Sequence, residues 1–221
     1  MVNLLMETSQ LNRAVTPTIL IVPGLRDHVE SHWQTLLERK LPRAVSVPRM
    51  ERDKLSCVAW VAALDASLAK IDGPGVLVAH SAGCMITVHW AQRHHRPIRG
   101  ALLGAPPDFE SPLPEGYPTE DVLRANGWLP TPRLALPFPS IVAASTNDPL
   151  GRYERVAELA AAWGSRLVNV GAVGHLNPAS GFGEWARAEE FIRKLARPAR
   201  RRSGPPPIDH EATDATAARG T

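Results

Sequence analysis

The chain has 221 residues, 44% of them hydrophobic, enough for one globular domain with a sizeable core and with no requirement for a second. Its formal charge of +3 comes from the carboxyl end: residues 193–221 hold seven Lys or Arg against three acids, so the rest is nearly neutral and no nucleic-acid surface is expected. Two cysteines, Cys57 and Cys84, form neither a CxxC pair nor a disulfide framework, and no stretch reads as a signal peptide or membrane span, which points to a reduced, cytoplasmic setting.

In chain order, residues 1–17 read as an amino-terminal extension. Short apolar runs then alternate with helical patterns, the signature of a parallel sheet covered on both faces. Strands are predicted at 18–22 (TILIV), 44–47 (AVSV), 75–79 (GVLVA), 99–104 (RGALLG), 139–144 (PSIVAA) and 166–170 (RLVNV). Helical spacing appears at Val61, Leu64, Leu68 and Ile71, again at Val156, Leu159, Ala160 and Trp163 with Gly164 as the C-cap, and finally at Trp185, Ala188, Ile192 and Leu195. Residues 105–138 break the rhythm with prolines and scattered Phe109, Tyr117, Trp128 and Leu129. Such a long excursion after the fourth strand suits either a proline-stiffened connection or a substrate wall, the latter with Phe109 and Trp128 as candidate contacts. Residues 198–221 read as a disordered basic, proline-rich tail.

The most informative segment is GVLVAHSAGCMITVHW, residues 75–90, in which a β-like run stops at Ser81 and restarts as an apolar helix. A sharp strand-to-helix turn exposes a serine Oγ at the sheet edge. The five-residue pattern around Ser81 is short enough to arise by chance, so its partners must be found elsewhere. A nucleophilic serine needs a base and an acid that orients the base. Asp148, after the fifth strand, and His175, after the sixth, supply them in the order Ser, Asp, His, each at a different strand end. The backbone N–H groups of Ala82 and of Leu25, after the Pro23–Gly24 turn, are the expected oxyanion donors, with Arg26 or Asp27 as alternatives to share the role.

Rival chemistries are weaker. His28 and His32 are four apart, but Glu30 is displaced from the H-E-x-x-H position and no third ligand is near, so no metal site is expected. His80, His89, His94 and His95 read as structural, with His80 pointing away from the serine. Cys84 reads as packing under the turn.

Together these pieces resemble the small serine hydrolases of the retinoblastoma-binding serine hydrolase and YdeN-like type, a compact branch of the α/β-hydrolase superfamily. The resemblance spans roughly residues 18–196 and rests on ILIVPGL with SHWQ, AHSAG, LPFPSIVAASTNDP and GHLNPASGFGEW. It implies an α/β-hydrolase domain over 18–197 without a large separate lid, catalytic Ser81, Asp148 and His175, no cofactor, and hydrolysis of esters or related small acyl compounds. Two departures stand out: Ala79 replaces the usual glycine of the elbow, and LSCVA at 55–59 lacks the glutamate of the L-x-C-x-E pocket-binding motif, so retinoblastoma-type binding is not expected. A scaffold protein on the same fold, or acyl transfer to a small alcohol by the same three residues, remain the alternatives.

Overall fold

The computed structural model describes residues 16–26 and 29–197; the expected amino-terminal extension up to residue 15 and the basic tail from residue 198 lie outside them. Six strands, β1 (Thr18–Val22), β2 (Ala44–Ser46), β3 (Gly75–His80), β4 (Ile98–Gly104), β5 (Ser140–Ala144) and β6 (Arg166–Asn169), form one parallel sheet in the order β2-β1-β3-β4-β5-β6. All lie within a residue or so of the expected strands. Pro139 drops out of β5 because it has no N–H to donate, although its carbonyl still accepts from Ala101 N–H at 3.0 Å.

Side-chain alternation splits the strands between two apolar layers. Leu20, Leu77, Leu103 and Val142 face one layer; Ile21, Val78, Leu102 and Ile141 face the other. The first layer is covered by α2 (Cys57–Leu68), α3 (Ala82–Ala91) and α5 (Tyr153–Ala162), and the second by α1 (Trp33–Lys40) and α6 (Ala186–Ala196). Every residue of α3 is buried, as its all-round apolar sequence requires. Helix α6 shows the opposite pattern: Ala188, Phe191, Ile192 and Leu195 pack inward, and Arg193 and Lys194 sit at its carboxyl end, where they favour the helix dipole. It lies so close to β4 that a methyl group on Gly100 would stand 2.7 Å from Leu195 Cδ2. Ser56 and Thr119 cap α2 and the short α4 (Glu120–Ala125), and Gly164, at φ 64°, ends α5 as expected.

The chain leaves β1 toward β2 in one direction, then crosses back to build β3 through β6 in the other. The loops after β1 and β3 therefore diverge and leave a crevice at the strands' carboxyl ends. Residues 105–138 form the expected excursion and carry α4. No helix among the described residues is long and apolar enough to cross a membrane.

Candidate active site

Ser81 sits between β3 and α3 at φ 55° and ψ −128°, a strained conformation for a residue with a side chain. The turn closes because its neighbours are small. A methyl on Gly83 would lie 2.2 Å from the Val22 carbonyl oxygen and 2.8 Å from that of Pro23, while one on Gly24 would lie 3.1 Å from Ser81 Cβ. Ala79, the irregular elbow position, is fully buried in the first apolar layer, where β3 accommodates its methyl group in regular pairing with Val22 and Leu103. Gln34 on α1 ties the divergence point together: its side-chain amide donates to Val22 O at 3.1 Å and to Val78 O at 2.9 Å.

Asp148 follows β5 and His175 follows β6, and the sheet brings both to Ser81. His175 Nδ1–H donates to Asp148 Oδ2 at 2.8 Å and Oδ1 at 3.0 Å, and Ser81 Oγ–H donates to His175 Nε2 at 2.8 Å. The carboxylate only accepts, which fixes the tautomer and leaves Nε2 as the acceptor for the hydroxyl proton. Both partners are nearly sealed from water, their side chains 5% and 2% exposed, and Leu150 N–H adds a bond to Asp148 Oδ1 at 2.9 Å.

Above Ser81 lies a cavity of about 380 Å³. Gly24, Leu25 and Ala82 form its floor beside the serine, Phe109 and Tyr117 from the excursion form one wall, and the segment after His175 forms another. Leu25 and Ala82 thus stand where the oxyanion donors were expected, and among the described residues neither backbone N–H has a hydrogen-bond partner. Arg26 rests over the Tyr117 ring at 5.0 Å, linking the turn to the wall.

Trp128 does not reach this cavity, contrary to the expectation from sequence. It is fully buried behind Phe109, their rings edge-on at 5.5 Å, and its indole N–H donates to Leu55 O at 2.6 Å. A large ring with a single donor is better accommodated in a core that satisfies that donor. Of the two aromatic candidates, only Phe109 lines the cavity.

The remaining histidines lie where the sequence put them or nearby. His80 is buried and, with Ser81, lines the cavity, its Nε2–H donating to the His175 carbonyl at 2.8 Å; burial and the neighbouring His175 and His32 hold its pKa well below the ordinary value. His32 caps α1 through Nδ1, and burial, reinforced by His175, lowers its pKa to about 4. His89 binds Trp128 O at 3.1 Å. His28, like Asp27, lies outside the described residues. Cys84 is fully buried, and desolvation pushes its thiol pKa well up, so it is no nucleophile at neutral pH. Sequence reasoning passed over Gln34, Ser145, Asn147 and Ser180, polar residues that bond backbone groups and so leave no residue-type pattern to read.

A parallel sheet with a strained serine elbow after β3 and an acid and a histidine at later strand ends defines the α/β-hydrolase fold. The profile of the serine hydrolase family matches residues 19–194, and the chain belongs to that family. Among solved structures it is similar to a protein from Pectobacterium atrosepticum described as a YdeN-like hydrolase, at 31% identity over 87% of this chain and 94% of that one, with a TM-score of 0.69. The ydeN gene product of B. subtilis matches at 18% identity over 81% and 98%, TM-score 0.62, and ferulic-acid-bound Est1E from Butyrivibrio proteoclasticus at 12% over 84% and 92%, TM-score 0.62; these two share the fold. The comparison with curated proteins gives no match.

Proposed function

We propose that this serine hydrolase cleaves carboxylesters of small to medium acyl groups through an acyl-enzyme on Ser81. As Ser81 Oγ attacks the ester carbonyl carbon, its proton passes to His175 Nε2. Asp148 steadies the imidazolium, and the Leu25 and Ala82 N–H groups receive the developing oxyanion. The alcohol departs with the proton from His175. Water then enters, gives a proton to His175 and attacks the acyl carbon; return of that proton to Oγ releases the acid and restores the enzyme. The observation that carries this reading is the continuous chain Asp148–His175–Ser81, with bonds of 2.8 Å at both links, opening on a cavity. The cavity's size and its mixture of proline and aromatic walls favour a compact acyl group. Both cysteines are free and buried, which supports the reducing, cytoplasmic setting.

A fluorophosphonate probe tests the mechanism. The adduct is expected on Ser81 and absent from His175→Ala, and Ser81→Ala should lower ester kcat/KM by about 10⁴-fold or more. Turnover retained by Ser81→Ala would overturn the proposal.

A further inference from the structure

Four backbone groups on three consecutive residues around the base are each held by a polar side chain that takes no part in the proposed chemistry. Val173 N–H donates to Ser145 Oγ at 3.1 Å, Gly174 N–H to Asn147 Oδ1 at 2.7 Å and His175 N–H to Ser180 Oγ at 3.1 Å, while the His175 carbonyl accepts from His80 at 2.8 Å. The sheet cannot do this holding, because β6 ends at Asn169 and its last ladder-like bonds are Val170 N–H to Ala144 O and Thr146 N–H to Gly171 O, both at 3.0 Å. The chain turns at Gly171, whose N–H donates to Asn169 Oδ1 at 2.8 Å, and again at Gly174, both at positive φ, and among the described residues no backbone–backbone bond holds residues 172–175.

Two of the four side chains come from the loop that carries the acid. Asn147 immediately precedes Asp148, and its Oδ1 takes a second donor, Ser145 Oγ–H, at 2.9 Å. Two donors converge on one atom, so the amide oxygen must point there; the NH₂ group would face both. Asp148 reaches the His175 ring, and its neighbour Asn147 reaches the backbone one residue before that ring.

We propose that Asn147, assisted by Ser145, is a positioning residue for the base: it locks the acid loop to the base loop so that the Asp148–His175 bond forms at a fixed distance. The proposal rests on the esterase reading for its kinetic arm only. Asn147→Ala should lower kcat on a nitrophenyl ester by about 10- to 100-fold with little change in KM. A loosened carboxylate supports the imidazolium less, so the acidic limb of kcat/KM moves to lower pH. Asn147→Asp keeps an acceptor oxygen in place; it should recover most of kcat, with its limb at or above the wild-type position. In proton NMR, the downfield Nδ1–H resonance of His175 should broaden or move upfield in Asn147→Ala and persist in Asn147→Asp, a readout that needs no turnover. A wild-type enzyme inactive on all esters would remove the esterase reading and leave this spectroscopic arm standing. Ser145→Ala, which removes the Val173 bond, gives the same readings in smaller measure if Asn147→Ala does not fold. Unchanged kcat, or a lowered kcat with an unmoved acidic limb and Nδ1–H resonance, would overturn the proposal.

Discussion

The tightest constraint on the elbow is the missing side chain at Gly83, where an added methyl meets two carbonyl oxygens of the β1 end, at 2.2 and 2.8 Å. Backbone cannot yield as a flexible side chain can, so Gly83→Ala should destabilise the fold by about 3 kcal/mol or more in urea unfolding and abolish probe labelling of Ser81. Gly24→Ala is milder because its added methyl meets Ser81 itself at 3.1 Å. Its expected signature is a folded protein whose labelling slows about tenfold, as the serine is displaced by a few tenths of an ångström. At this scale the sequence located the hydrogen-bonded cluster well: Ser81, Asp148 and His175 each follow an apolar run that ends abruptly, and a parallel sheet gathers such ends on one edge. Asn147 and Ser145 stayed hidden because they act on backbone N–H groups some 27 and 28 residues away, and a backbone partner leaves no residue-type signal.

Trp128 shows where pattern reading misleads at the level of elements. An aromatic residue in an irregular, proline-rich segment suggests a ligand wall, yet this one anchors the segment by bonding Leu55 O, just ahead of α2. Trp128→Phe should therefore lower stability by about 1–2 kcal/mol in urea unfolding, since it strands that carbonyl, and leave kcat/KM of the folded enzyme unchanged. Phe109→Ala should instead raise KM, since Phe109, unlike Trp128, faces the cavity. The strands were legible to within a residue or so because their periodicity and burial agree. The excursion was legible only as an interruption: its six-residue helix α4 buries Leu123 alone, too little to leave a periodic trace.

Across the whole molecule, the crowding of buried histidines makes stability depend on pH. Burial lowers the pKa of His32 to about 4 from 6.5 and those of His80 and His89 in the same direction. Between those limits the unfolded chain binds protons that the folded chain refuses, so stability is complete above about pH 6.5 and falls as the pH drops toward 4. The slope approaches about 1.4 kcal/mol per pH unit for a histidine that stays neutral throughout that range, as His32 does. Asp65, held at about 2 by its bonds to Arg96, acts in the same sense at lower pH, as its carboxylate protonates below its ordinary value near 3.8. Urea midpoints measured from pH 7.5 to 4.5 should fall steadily, and His32→Asn, which keeps an acceptor at the cap of α1, should flatten the curve by roughly one proton's worth. A flat profile over this range would contradict the burial of these rings as neutral groups.

His175 hangs from the sheet's rim. β6 is paired on one side only, with Arg166 and Asn169 exposed and its two middle residues half-covered, whereas the elbow rises from β3, every residue of which is buried. Outermost strands fray at a lower free-energy cost than the strands they border. On warming, the histidine should therefore drift from a serine that is still rigidly held, and fluorophosphonate labelling of Ser81 should fade several degrees before circular dichroism reports melting. Amides of Val168 and Val170 should exchange with solvent well ahead of those in β3. An enzyme built this way ages from its edge inward, and cross-linking β6 to β5 should lengthen its working life more than any repacking of the core.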